Sequence, residues 1–283
     1  MEKKNAIITG ADGGMGREIT RAVAASGYHV YMLTYSEELG KKCRDEISAE
    51  TGNEEMEVVQ VDLSSMRSIE LVAERFLSAG TKIDLLMNNA GMLATHLVQT
   101  ADGFENTVAV NYIAPYFLSR KLLPLMHRGS RIVSMVSCSY VEGEIGPSFF
   151  SNGKEGGFSR IPIYSNTKLA LWYFTNELSR RVQDQGILVN CADPGIVNTE
   201  IIRMHKWFDV LTDLIYRPFI RTPKQGADTA VALLLDSGFQ KSTGGMFHSR
   251  KRKRVPARFR KQEEMEALWK ETESQLKKAG FEI

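Results

Sequence analysis

Short apolar runs alternate with longer amphipathic stretches along most of the chain. Ala6-Ile7-Ile8 closes at Thr9-Gly10, and Ile19, Val23 and Ala24 then recur at helical spacing up to Gly27. Val30-Tyr31-Met32-Leu33 is the second run, followed by a charged helical stretch from Lys41 to Ile47. Val58-Val59-Gln60-Val61 is the third, with Ile69, Val72 and Phe76 behind it. Ile83 to Met87, Arg131 to Val136 and Ile187 to Asn190 complete a set of six. Runs this short, separated by helical patterns, predict buried parallel strands joined by crossover helices. The expected fold is α/β, a doubly wound parallel sheet.

Two stretches break the alternation. Residues 138–163 are rich in Gly, Ser and Pro, which predicts a loop at the mouth of a site. Residues 200–222 carry Ile201, Ile202, Trp207, Phe208, Leu211, Leu214, Ile215 and Phe219 without a strand period. They read either as core or as a helical lid, because ligands of open α/β sheets bind outside the carboxyl ends of the strands.

Composition narrows the class. With 283 residues, 43% hydrophobic and 25% charged, the chain is expected to be one globular domain spanning 1–283. No window approaches the ~18 consecutive apolar residues of a membrane span. Met1-Glu2-Lys3-Lys4 leads straight into the first run, so no signal peptide is expected. Cys43, Cys138 and Cys191 lie far apart, with no CxxC pair and no His at ligand spacing. Neither a disulfide framework nor a metal site is expected, and a cytoplasmic location is.

The net charge of +2 hides an asymmetry. Residues 250–283 hold 11 basic and 6 acidic residues, leaving the remainder at −3. Arg250-Lys251-Arg252-Lys253-Arg254, continued by Arg258, Arg260 and Lys261, heads this basic tail. It reads as a solvated or homo-oligomer contact, or as a peripheral contact with an anionic membrane. Phe259 is its single interleaved aromatic, so no nucleic-acid partner is expected.

The chemistry clusters at strand ends. Thr9-Gly10-Ala11-Asp12-Gly13-Gly14-Met15-Gly16 lies between the first strand and the first helix. Glycines let the backbone turn sharply and approach a pyrophosphate, which free N–H groups at the helix start then bind. A tight loop is the bland alternative. Tyr164-Ser165-Asn166-Thr167-Lys168 places a phenol and an ammonium one helical turn apart. A nearby cation stabilises a phenolate, which lowers a pKa that is otherwise near ~10. Taken alone, the pair reads rather as a chance surface pair.

Four motifs occur in order: Thr-Gly-x-x-x-Gly-x-Gly at 9–16, Asn88-Asn89-Ala90-Gly91 after the fourth strand, Ser137 after the fifth, and Tyr-x-x-x-Lys at 164–168. Together they resemble the short-chain dehydrogenase/reductase family and its Rossmann-type fold, over nearly the whole chain. Thr100-Ala101-Asp102-Gly103-Phe104-Glu105, Val110-Asn111, Thr243-Gly244-Gly245-Met246-Phe247 and Leu268-Trp269 resemble its retinol-dehydrogenase-like branch.

The resemblance implies an oxidoreductase moving a hydride between a nicotinamide dinucleotide and a carbonyl or alcohol. Tyr164 would be the general acid/base, and Lys168 would lower its pKa and hold the nicotinamide ribose. Ser137 would hydrogen-bond the substrate oxygen, in preference to Ser134 or Ser139. Asn111 would hold a water that passes protons to Lys168. Pro115, four residues on, has no N–H to donate to the Asn111 carbonyl, which leaves that carbonyl free for water or simply kinks the helix.

The implied dinucleotide contacts are Gly10, Gly14, Met15, Gly16, Tyr35, Asp62, Leu63, Asn89, Ala90, Gly91, Tyr164, Lys168, Pro194, Gly195, Ile196 and Thr199. Asp62 equally reads as a helix cap with Ser64. No acid stands at Thr34-Tyr35-Ser36, where an NAD enzyme places one, which points to NADP(H) over NAD(H). The branch's usual Arg is replaced by Tyr35, and Asp12 and Glu37 argue the other way. The apolar segment 201–220 suggests a lipophilic substrate. A non-catalytic dinucleotide sensor on the same fold is the rival reading, and it needs no phenol and ammonium one turn apart.

Overall fold

A computed structural model describes residues 3–147, 149–150, 158–197 and 221–283. All six anticipated strands are present: β1 (Asn5–Thr9), β2 (His29–Thr34), β3 (Met56–Gln60), β4 (Ile83–Asn88), β5 (Met126–Met135) and β6 (Leu188–Asp193). Two short strands follow, β7 (Met246–His248) and β8 (Lys251–Lys253). The sheet order is β3-β2-β1-β4-β5-β6-β7-β8, parallel except for the β7–β8 pair. The chain reverses its direction of travel between β1 and β4. That reversal opens a crevice at the strands' carboxyl ends, the place where doubly wound sheets bind ligands.

Two apolar layers hold the helices to the sheet. On one face α1 (Gly14–Ala25) and α2 (Glu37–Thr51) pack with α7 (Pro223–Leu235) around Ile19, Val23, Ile47 and Leu233. The other face carries α3 (Met66–Ala79), the α4–α5 stretch, α6 (Arg160–Arg181) and α8 (Gln262–Lys278). Close approach depends on two glycines. A Cβ at Gly40 would fall 2.7 Å from Thr34 Oγ1, and one at Gly226 would fall 2.8 Å from Met15 Sδ.

The stretch from 106 to 122 is a helix with a defect. α4 (Asn106–Val108) passes through a π-helical turn (Ala109–Ile113) into α5 (Ala114–Leu122). The Ala114 N–H bonds the Ala109 carbonyl, five residues back. Pro115 cannot donate to Asn111, so the widened turn lies where the ordinary ladder would lack a donor.

The Thr100–Glu105 segment has structural roles. Asp102 accepts from the Met66 N–H at 2.8 Å at the start of α3, and Glu105 caps α4 through the Val108 N–H at 2.9 Å.

One expectation needs revision. The 138–163 stretch is not one loop, since a 3-10 turn covers Cys138–Glu142 and α6 already begins at Arg160. Within the basic tail, Lys251–Lys253 form β8 and add an antiparallel strand to the sheet, with Lys251 and Arg252 exposed. Its continuation, α8, buries Leu268 and Trp269 against α6. The Trp269 ring stacks on Phe174 at 5.9 Å, with the guanidiniums of Arg181 and Arg120 at 4.3 and 4.6 Å. The anticipated lid at 200–222 lies outside the described residues except for Arg221 and Thr222, the latter closing a capping box with Gln225 at the start of α7.

Candidate active site

The glycine turn is built for close backbone approach. Gly10 sits at φ +59°, and a Cβ at Gly16 would fall 1.9 Å from the Gly10 carbonyl, so only glycine fits at 16. Helix α1 starts with Gly13 at its N-cap, without a side-chain cap and without an acid in its first turn. Gly14, Met15 and Gly16 therefore present first-turn N–H groups without a side-chain partner, the arrangement that favours an anion.

The turn is fastened to the end of β4. Asn89 Nδ2 donates to the carbonyls of Thr9 (3.1 Å) and Gly10 (3.2 Å), and the N–H groups of Asn89 and Ala90 both donate to Thr9 Oγ1 at 3.0 Å. Asn89 Oδ1 is buried without a hydrogen-bond partner. A cradle that a Cβ would fill, uncapped N–H groups and an orphaned amide oxygen together fit a dinucleotide's polar spine. Thr9 is a support that sequence reasoning passed over, although it stands inside the motif.

The four anticipated catalytic residues come from the end of β5 (Ser137), α6 (Tyr164 and Lys168) and the π-helical turn between α4 and α5 (Asn111). Ser137 follows β5, and its hydroxyl acts on the Tyr164 phenol in favour of the phenolate. Ser134 and Ser139 have buried hydroxyls without partners. Lys168 is 3% exposed, its Nζ donates to the Met135 carbonyl at 3.0 Å, and it lies 5.5 Å from the Tyr164 ring centroid. Asn111 holds the loop after β4, its Oδ1 accepting from Met92 N at 2.7 Å and its Nδ2 donating to Met92 O at 2.8 Å. The same amide reaches Thr167 on α6 at 3.3 Å. A Cβ at Gly91 would sit 3.3 Å from Lys168 Nζ and 3.5 Å from Asn111 Oδ1, so glycine lets the loop pass between them.

The electrostatics differ from the expectation in one respect. Burial pushes the Tyr164 phenol up to about 12, outweighing the Ser137 hydroxyl that favours the phenolate. Lys168 does not lower the phenol here, because its ammonium is turned to the Met135 carbonyl rather than to the phenol oxygen. Burial also brings Lys168 down to about 8. The phenol is thus held in its acid form at neutral pH.

The remaining anticipated contacts fall around the crevice. Tyr35 is 74% exposed just past β2. Asp62 Oδ1 accepts from both the N–H (2.8 Å) and the hydroxyl (2.7 Å) of Ser64 in a turn ahead of α3, and the helix itself is capped by Ser65. Leu63 packs against the core. Pro194, Gly195 (φ +75°) and the exposed Ile196 form the turn after β6; Thr199 lies outside the described residues.

Two cations grip that turn. The Arg221 guanidinium donates to the Pro194 carbonyl at 3.3 Å and its backbone N–H to the Ile196 carbonyl at 2.8 Å, and Lys253 pairs with the buried Asp193 at 2.8 Å. Neither was legible beforehand, Lys253 because it is one charge in a run of five.

This chain is a member of the short-chain dehydrogenase/reductase family: the family's sequence profile, described as short chain dehydrogenase, matches residues 4–206. The class is that of NAD(P)-dependent oxidoreductases acting on CH–OH groups. Within it the chain belongs to the retinol-dehydrogenase-like branch. It is 33% identical to human retinol dehydrogenase 12 over 94% of this chain and 84% of the relative, and 34% identical to mouse retinol dehydrogenase 11 over 86% and 77%. A protein of Mycobacterium Paratuberculosis superposes with a TM-score of 0.77 at 25% identity, covering 97% of this chain and 93% of that one. A short chain dehydrogenase of Burkholderia cenocepacia J2315, solved in complex with NADP, gives 0.68 at 23%, covering 87% and 95%.

Proposed function

We propose that the chain interconverts a carbonyl and an alcohol on a lipophilic small molecule, with Tyr164 as general acid/base. The observation that carries this reading is the placement of the Tyr164 phenol beside Ser137 and one helical turn from the buried Lys168, whose Nζ lies 5.5 Å from the phenol ring. A bound nicotinamide dinucleotide would supply or take the hydride. Gly10, Gly14, Met15 and Gly16 would hold its pyrophosphate, and Asn89 to Gly91 and Pro194 to Thr199 would hold the rest. Ser137 would orient the substrate oxygen, and the protonated Tyr164 would give it a proton as the carbonyl is reduced. Lys168 would hold the ribose, and Asn111 fixes the loop that passes beside it.

Supporting a lipophilic substrate are the relatives, whose names are retinol dehydrogenases, and the apolar content of residues 201–220. No described helix is long and apolar enough to cross a membrane. NADP(H) is favoured because nothing acidic stands at 34–36, and Glu37, the nearest acid beyond, is paired with Lys41 at 2.6 Å.

The test is Tyr164→Phe, with ketones and alcohols screened against both cofactors by the absorbance of the reduced nicotinamide. Turnover should fall about 10²–10⁴-fold while cofactor affinity survives. A variant that keeps more than about a tenth of the wild-type rate would remove Tyr164 from the chemistry.

A further inference from the structure

The basic run of the tail divides in the structure by what each cation meets. Arg250 is paired with Asp228, Lys253 with Asp193 at 2.8 Å, and Lys261 with Glu264 at 2.8 Å. Arg258 donates to the Val141 carbonyl at 2.8 Å. Arg252 reaches only the Gly244 carbonyl, at 3.5 Å. The guanidiniums of Arg254 and Arg260 have no hydrogen bond or ion pair among the described residues.

Those last two line the same cavity. It holds about 600 Å³, and Arg252 and Lys253 line it as well. No Asp or Glu contributes to its wall. Its apolar surface comes from Trp172, Met246, Val255 and Met265, all buried. None of the glycine-turn residues, and none of Ser137, Tyr164 or Lys168, belongs to it.

We propose that this cavity binds the phosphate group of a small organic molecule, with Arg254 and Arg260 as its principal partners. Three guanidiniums without a carboxylate partner, Arg252, Arg254 and Arg260, gathered around one space repel one another unless an anion sits among them. Guanidinium forks match phosphate oxygens two at a time, and those of Arg254 and Arg260 are free of competing partners. The volume lies in the range of small-molecule sites, and the buried apolar wall gives an organic body something to lie against. A flat anionic membrane fits less well, because none of the large exposed apolar side chains lines the cavity to act as an anchor.

The experiment is calorimetric titration of the full chain with pyrophosphate and, separately, with dihexanoyl phosphatidic acid, each with and without saturating NADPH. The comparison protein is Arg254→Gln/Arg260→Gln, two exposed positions, with thermal unfolding checked for both proteins. Binding should persist in the presence of NADPH and weaken at least about tenfold in the double variant, the loss of about 1.4 kcal/mol of charge-assisted contact. Lys251→Gln removes an equivalent charge outside the cavity and should leave binding unchanged. Pyrophosphate binding alone assigns a free phosphate compound, and phosphatidic acid binding alone assigns a lipid headgroup. The proposal is overturned if neither phosphate binds, or if Lys251→Gln weakens binding as much as the double variant. It is equally overturned if NADPH displaces the phosphate, which would place it in the cofactor crevice. The comparison of variants needs no cofactor, so it stays readable if the dinucleotide reading fails.

Discussion

Replacing Lys168 by Met should make the cofactor-free protein more stable at neutral pH, and the gain should disappear as pH rises. The ammonium is buried, and burial lowers its pKa from the ordinary 10.5 to about 8. Below pH 8 both folded and unfolded chains carry the charge, and the folded state bears the full penalty. Between about 8 and 10.5 the unfolded chain binds more protons, so wild-type stability gains from this group as pH rises. At about 1.4 kcal/mol per decade of proton affinity, the penalty is about 3 kcal/mol at pH 7 and under about 1 kcal/mol at pH 10. The bond to the Met135 carbonyl is lost in the variant, which shifts its curve by a roughly constant ~1 kcal/mol without changing its slope. Methionine keeps nearly the same volume, so no large cavity opens. Guanidinium unfolding of both proteins from pH 7 to 10 reads the difference directly. It should narrow by about 2–3 kcal/mol across that range. Parallel curves would mean that Lys168 is not desolvated, and the account of its burial would fail.

Gly16→Ala should abolish cofactor binding or folding, because its Cβ would lie 1.9 Å from the Gly10 carbonyl; dinucleotide titration of a folded variant with wild-type affinity would contradict this. Trp269→Ala should cost about 3–5 kcal/mol in denaturant unfolding, since it empties a site between Phe174 and two guanidiniums, whereas a loss under about 1 kcal/mol would place the ring at the surface. Tyr35→Arg should raise the preference for NADPH over NADH by adding a partner for a 2′-phosphate, and an unchanged ratio of dissociation constants would move the adenosine ribose away from position 35.

What was legible beforehand follows from which interactions are local. Strands β1 to β6 were readable because central parallel strands are buried on both faces and show as apolar runs. β7 and β8 were not, since three residues are too few to carry a period and Lys251–Lys253 reads as a charge run. The Tyr164–Lys168 pair and the glycine turn were visible as spacing, and Pro115 pointed to a defect at Asn111. The direction of the Lys168 ammonium was not visible, because it depends on the Met135 carbonyl, 33 residues away. The grip of Lys253 on Asp193 was hidden for the same reason: the partners are 60 residues apart and meet only through the β6–β7–β8 pairing.

Strand β8 also sets a boundary on how copies of this molecule meet. A free strand edge is a template on which another chain can add, and β7 would offer such an edge if the chain ended there. Instead β8 covers it, and the new outermost edge bears consecutive lysine and arginine side chains. Two copies laid edge to edge would bring like charges within a few ångströms along the whole pairing length. The sheet is therefore self-limiting on this side, and a second copy of the molecule does not extend it past β8.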